Sequence, residues 1–185
     1  LQASKSFDNV TILDSSHISS GHGLMVLYAA VMAEEGKDVV QICEALDGMR
    51  ERICSNFLVP STAALYRNGK VSAPVHRVCS ALNLHPVLRM SQNELKLWKI
   101  ETGNMTHVRR RYVKNLLHHS KQIDPSILFL TYAGCSMHQI EEILEEVKKY
   151  VHFDRVITQK ASATVSSNCG VGVFGLMFVR KEKEE

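Results

Sequence analysis

A run of small polar residues and glycines near the C-terminus is the part of this sequence whose residue types and spacing best suit ligand chemistry. It reads ATVSSNCGVGVFGLMFV over residues 163–179 and passes from serines into an apolar segment. Gly170 and Gly172 let the backbone approach a ligand closely, while Ser167 and Asn168 offer short hydrogen-bonding groups. Such a loop could hold an anionic head group at the mouth of a buried strand. A tight turn with solvated serines remains the alternative, because an isolated Gly-x-Gly is unspecific.

Two other places carry groups that suit an anion. Lys70 follows the turn dipeptide Asn68-Gly69, where it is either a routine surface lysine or a cation near the ligand. Ser20 and His22 stand at the predicted start of an apolar helix, where free backbone N–H groups and the helix dipole favour negative charge. A solvent-exposed capping loop is the competing interpretation of Ser20 and His22.

Metal and nucleophile chemistry have weaker support. Cys135 and His138 have a metal-compatible spacing, but a zinc site needs two more ligands and none is near them in sequence. His118 and His119 are adjacent, so on a helix they point in different directions. No Gly-x-Ser-x-Gly nucleophile elbow occurs in the sequence. We predict that the protein has no metal site and no cofactor, whereas composition alone leaves Ser-His-Asp catalysis open.

Composition limits the class of protein. The chain has 185 residues, of which 45% are hydrophobic and 22% charged, and this suits one sizeable core or two small ones. Its five cysteines are odd in number and lack a Cys-x-x-Cys spacing, which indicates reduced thiols and a cytoplasmic location. The most apolar segment, residues 24–33, is far shorter than the roughly 20 residues of a membrane span, so we predict no membrane insertion.

The predicted elements alternate between helical and strand periodicities, which indicates a mixed α/β protein. Asp38 with Gln41, and Ser136 with Gln139, have the spacing of helix-capping boxes. The first, apolar helix is predicted to be buried on all sides, and the second to run from Asp38 to Ile53. Further helices are predicted at 63–67, 74–82, 106–120 and from 136 onward. Strands or short apolar runs are predicted at 10–13, 57–59, 85–90, 95–100, 126–132, 155–159 and 173–179.

The helix at 106–121 raises a rival function. Its positive residues, including Arg109, Arg110 and Arg111, could contact the phosphates of a nucleic acid. The net charge of only +3 and the ordinary amphipathic pattern of this helix favour a solvated face instead. We therefore predict that nucleic acid is not the main partner.

Four segments, in order along the chain, resemble motifs of the DegV family of bacterial fatty-acid-binding proteins. They are TILDSSHISSGHGLMVLYAAVMAEEGK, LYRNGKVS, NLHPVLRM and VSSNCGVGVFGL. The resemblance implies two α/β domains that hold a long acyl chain between them. It also implies a protein that is not itself catalytic and that presents the fatty acid to a kinase.

The same resemblance implies that the chain corresponds to the rear portion of such a protein. Residues 1–52 would be the end of the first α/β domain, and residues 53–185 would be the mixed-sheet second domain. Two departures concern the implied head-group site. Lys70 replaces an arginine of the family motif and loses its bidentate fork, while Asn168 replaces a histidine and cannot titrate.

These inferences lead to one main hypothesis and one competitor. The main hypothesis is a fatty-acid-binding module in which Lys70, Ser167, Asn168 and Gly170 lie at the carboxylate, with Ser20 and His22 as further candidate contacts. The competitor is a degenerate interaction or regulatory module that has lost its ligand. A long-chain fatty acid and a fatty-acid kinase are the expected partners of the first.

Overall fold

A computed structural model describes residues 7–91 and 93–182 of the chain. Its helices are α1 (Ser19–Glu34), α2 (Val39–Arg50), α3 (Ala63–Arg67), α4 (Ala73–Ala81), α5 (Met105–Leu117), α6 (Met137–Lys148) and α7 (Ala163–Cys169). A short 3-10 helix covers Ser120–Gln122. Its strands are β1 (Ile53–Leu58), β2 (Leu84–Ser91), β3 (Glu94–Thr102), β4 (Ile127–Ala133), β5 (Arg155–Lys160) and β6 (Val173–Val179).

The six strands form one mixed sheet in the order β3-β2-β1-β6-β4-β5. All neighbouring pairs are antiparallel except β4 with β5, which are parallel and joined by α6. The predicted mixed α/β fold is therefore confirmed. The β2–β3 hairpin is an edge unit, and its ladder to β1 comprises three residue pairs, Asn56–Leu58 with Val87–Arg89.

The centre of the sheet is made by the most apolar strands. Every residue of β1 and of β6 is buried, as expected for strands covered on both faces. The fully buried Tyr112 of α5 ties these two strands together, because its hydroxyl donates to the Asn56 oxygen at 2.8 Å and accepts from the Leu176 amide at 3.2 Å. A buried polar group is thus satisfied where it lies between the central strands.

Helices pack on both faces of the sheet. Alternate residues of β1, β4 and β6 pack against α5 and α6, and the remaining ones pack against α1 and α2. We call these the α5/α6 face and the α1/α2 face. A smaller apolar cluster around Val59 and Leu65 lies beside α3.

Several local predictions are confirmed. Both capping boxes form: Asp38 accepts from the Gln41 amide at 2.9 Å, and Ser136 accepts from the Gln139 amide at 3.3 Å. The hairpin and the amphipathic helix α5 also form where the patterns place them. No helix of residues 7–91 and 93–182 is long and apolar enough to cross a membrane.

Three local predictions are wrong. Residues 10–13 form no strand, because no described strand lies beside them to complete a ladder, and the side chains of Val10 and Ile12 are 47% exposed. Helix α1 is not buried on all sides, since it lies on the sheet with one side only and leaves Val26 and Val31 about half exposed. Helix α2 ends at Arg50 rather than Ile53, because Ile53 already begins the central strand β1.

Candidate functional site

An apolar cavity of about 730 Å³ lies on the α1/α2 face of the sheet, between the β2–β3 hairpin and helices α3, α4 and α7. The hairpin contributes a wall of aliphatic side chains, and the helices contribute the opposite wall. Its apolar lining comprises Ile18, Phe57, Leu65, Val71, Val75, Pro86, Leu88, Leu95, Leu97, Ile100 and Val165. This volume is within the range of small-molecule sites, and an apolar lining of this kind suits a hydrocarbon ligand.

Two of the predicted head-group residues lie in the wall of this apolar cavity. Lys70 extends from the turn after α3, and Asn168 lies near the end of α7. The two segments are connected, because the Asn68 side-chain amide donates to the Ser167 backbone oxygen at 2.9 Å. Within the described part of the chain, Lys70 has no carboxylate in ion-pair distance. A free cation thus lies at the edge of a hydrocarbon-lined space.

The predicted loop before β6 is a helix instead. Ser162 caps α7 by accepting from the Val165 amide at 3.3 Å, so the serines begin a helical turn rather than an open cradle. The Ser167 hydroxyl donates to the Thr164 oxygen at 3.1 Å, and the Asn168 side-chain amide donates to the same oxygen at 2.8 Å. Ser167 does not line the apolar cavity.

Gly170 and Gly172 make the tight connection from α7 into β6. Their φ angles of +89° and +83° lie in the left-handed region that glycine tolerates. A Cβ at Gly170 would lie 3.0 Å from Cβ of Ala64, so α7 packs closely against α3 at this point. Gly170 therefore ends the helix that carries Asn168 and is outside the cavity lining.

Ser20 and His22 lie away from the apolar cavity. Ser20 is buried, and its hydroxyl is bonded to Thr131 and, at 2.5 Å, to the side-chain amide of Gln159. His22 is exposed and its Nδ1 is 2.9 Å from the Ser15 hydroxyl. Neither side chain lines the cavity that holds Lys70 and Asn168.

A polar pair, of which Thr62 lies in the cavity wall, escaped sequence reasoning. Thr62 is 3% exposed and lines the cavity, and its hydroxyl lies 2.7 Å from Nδ1 of His76, which stacks on Tyr66. Thr62 precedes α3 and His76 lies in α4, so no periodicity within a single element links them. The thiol of Cys169 also lines the cavity, and burial raises its pKa, which keeps it protonated and apolar in character.

The basic helix is partly neutralised by the fold. Arg109 pairs with Glu142 at 3.2 Å, and Arg111 pairs with the buried Glu101 at 2.9 Å. Two of the three consecutive arginines thus hold α5 to neighbouring elements.

As for metals, the described residues bring together no group of three ligating side chains.

The sequence matches a family model described as an uncharacterised protein of the DegV family over residues 1–181. Among curated relatives, a DegV domain-containing protein of Clostridium perfringens is 23% identical over 181 residues, which cover 95% of this chain and 60% of the relative. One from Caldanaerobacter subterraneus is 26% identical and covers 94% of this chain and 61% of its own length. The chain thus spans about three fifths of these relatives.

Solved structures show the same fold. A DegV family protein of Eubacterium eligens loaded with heptadecanoic acid has a TM-score of 0.81 at 18% identity, covering 97% of this chain and 65% of its own. The Streptococcus pneumoniae fatty acid kinase B3 protein loaded with linoleic acid has a TM-score of 0.80 at 14% identity, covering 97% and 63%. With the family match along nearly all of its length, the chain belongs to the DegV family.

Proposed function

We propose that this chain is part of a fatty-acid-binding protein and buries a long acyl chain in the apolar cavity. One observation carries the proposal: a hydrocarbon-lined cavity of about 730 Å³ has Lys70 and Asn168 together in its wall. Lys70 would attract the carboxylate and the Asn168 amide would donate to it. Ser167 and Gly170 would act by holding α7 in place rather than by direct contact.

The energetics favour binding through the tail. Each buried methylene contributes roughly 0.8 kcal/mol, so about a dozen methylenes contribute on the order of 10 kcal/mol before the cost of association. The wall of β3 is open, since Leu95, Leu97 and Ile100 are 40%, 57% and 46% exposed. We propose that the other domain of the family's two-domain arrangement covers this side and that the boundary lies near residue 52, although α1 and α2 pack on the sheet of residues 53–185.

The proposed role is carrying rather than catalysis. A kinase that phosphorylates the bound fatty acid is the proposed partner, because one structural relative is the B3 protein of a fatty acid kinase. We propose a cytoplasmic location, which suits the five free thiols.

A degenerate interaction module without a ligand is the second candidate. The observation that favours it is the Asn168 amide, which is already bonded to the Thr164 oxygen. Organic extraction of the purified protein followed by mass spectrometry separates the two candidates. Fatty acid that co-purifies with the protein, or saturable uptake of added fatty acid, supports the carrier. If the full-length protein neither carries nor takes up fatty acid, the degenerate module is supported.

Lys70→Met should weaken fatty-acid binding by about tenfold, because it removes one charge-assisted contact to the carboxylate. It should leave the affinity for the fatty alcohol of the same length within about twofold, since the alcohol has no charge for Lys70 to attract. Titration with both ligands measures the difference. Lys37→Met, at an exposed lysine outside the cavity, is the matched control. Equal losses for acid and alcohol would contradict a head-group role for Lys70.

Asn168→His should tighten fatty-acid binding by about threefold to tenfold below neutral pH, because a protonated imidazole adds a charge near the carboxylate. The gain should fade as the pH rises above about 7, where the imidazole becomes neutral. Fatty-acid titrations at two pH values measure both effects. Ser167→His, one residue away and outside the cavity lining, is the control and should give no gain. A pH-independent affinity for Asn168→His would indicate that this side chain does not face the carboxylate.

A further inference from the structure

A second cavity, of about 520 Å³, lies at the other end of β1 and shares no lining residue with the apolar cavity. Three arginines line it, so we call it the arginine cavity: Arg50, Arg89 and Arg180. They come from separate elements, the end of α2, the strand β2 and the residue after β6. Ile53 lines the arginine cavity and Phe57 lines the apolar cavity, and these two residues are about 13 Å apart along β1.

The topology of the sheet creates this space. The ladder between β1 and β2 ends at the pair Asn56 and Arg89, and the strands separate beyond it. Arg89 is fixed at that point, since its Nε donates to the Asn56 side-chain oxygen at 2.8 Å and its guanidinium carbon lies 4.1 Å from the centre of the Trp98 ring. Among the described residues, no hydrogen-bond acceptor is bonded to its two terminal nitrogens, which could therefore contact a ligand.

Positive charge is concentrated at Arg89 and Arg180 in this cavity. Among the described residues, neither Arg89 nor Arg180 pairs with a carboxylate, and the side chain of Arg180 hydrogen-bonds the Cys54 thiol. Burial, and then the like charge of Arg180, lower the pKa of Arg89. Two guanidinium groups held close together in a partly buried cavity repel each other unless an anion lies between them.

The remaining charged groups of the cavity do not cancel this excess. Arg50 pairs with the exposed Asp47, yet its Nε is buried and has no hydrogen-bond partner within the described ranges. Glu51 is the single carboxylate among the lining residues that the structure describes. His17 lies with its Nε2 2.9 Å from the Arg50 backbone oxygen, and burial lowers its pKa, so it adds little charge at neutral pH. The lining therefore has more positive than negative groups.

We propose that the arginine cavity binds a small phosphate monoester, at a site separate from the fatty acid. Guanidinium groups match phosphate oxygens through paired hydrogen bonds, and a phosphate monoester near pH 7 has close to two negative charges, enough for both Arg89 and Arg180. A carboxylate would neutralise only one of them. The cavity is larger than a phosphate group alone needs, which leaves space for the organic part of the ester.

Calorimetric titration of the protein with glycerol phosphate tests the proposal, with inorganic phosphate and acetate as comparison anions at equal ionic strength. We expect saturable binding of both phosphates and about tenfold weaker binding of acetate. Arg180→Gln and, separately, Arg50→Gln should each weaken phosphate binding by about tenfold. Arg155→Gln, on the far edge strand β5, is the matched control and should stay within about twofold of the unaltered protein.

Thermal unfolding of each variant tests whether a loss of phosphate binding comes from a loss of folded protein. Three results would overturn the proposal. They are no saturable binding of either phosphate, equal affinity for acetate and phosphate, or a loss of phosphate affinity in Arg155→Gln as large as that in Arg180→Gln. Fatty-acid binding by Arg180→Gln should stay within about twofold of the unaltered protein, because the two cavities share no residue.

Discussion

Leu88→Glu should reduce fatty-acid affinity by about a hundredfold or more. Leu88 is half-buried on β2 and lines the apolar cavity, so a carboxylate there would face the path of the acyl tail. Covering an unpaired carboxylate with hydrocarbon costs several kcal/mol, and about 2.7 kcal/mol already corresponds to a hundredfold loss. Displacement of a fluorescent fatty acid measures the affinity.

Leu82→Glu is the matched control for this experiment. Leu82 follows α4, is 63% exposed and does not line the apolar cavity, so its replacement should leave affinity within about twofold. Thermal unfolding of both variants establishes that they fold. If folded Leu88→Glu bound fatty acid as tightly as the unaltered protein, the tail would not occupy this cavity.

Tyr112→Phe should lower the free energy of unfolding by about 1–3 kcal/mol. The substitution keeps the ring in the core but leaves the buried Asn56 oxygen and Leu176 amide without the hydroxyl that serves both. At this chain length, each kcal/mol corresponds to a fall in melting temperature of about 2–4 °C. Denaturant titration and calorimetry measure the two quantities.

Tyr132→Phe gives the comparison for this stability effect. Tyr132 lies on β4, packs against the same core only in part, and its hydroxyl has no described partner. We expect a change within about 0.5 kcal/mol there. Equal effects at Tyr112 and Tyr132 would show that the hydroxyl does not hold the central strands together.

The elements that sequence reasoning recovered are those with local causes. The capping boxes at Asp38 and Ser136 depend on residues three positions apart, and the hairpin depends on a polar turn between two β-rich runs. These signals are complete within a few residues. They therefore survive when the rest of the chain is ignored.

The elements that it missed depend on distant neighbours. Val10 and Ile12 have strand-forming side chains, but a strand needs an adjacent ladder that the described fold does not provide. Helix α7 is not predicted from the sequence because serine and asparagine favour turns on average. In the fold, Ser162 caps this helix and Gly170, at its end, packs closely on Ala64.

The site was predictable in part, and by resemblance rather than spacing. Lys70 and Asn168 are 98 positions apart, and only their positions in the family motifs associate them in the sequence. In the structure both line the same cavity. Asn68, which links their segments, was recognised only as a turn residue. The arginine cavity had no sequence signal, because its three arginines meet only where two strands separate.

The β2–β3 hairpin is joined to the central strands by a ladder of only three residue pairs between β1 and β2. The β2–β3 hairpin forms one wall of the apolar cavity, and its outer strand has no further strand beside it. In the proposed carrier, bending this edge unit to admit a thicker or kinked hydrocarbon would stretch a few hydrogen bonds, while the central strands β1, β6 and β4 would stay in register. The proposed carrier would thus accept acyl chains of differing shape without disturbing the central strands that keep it folded.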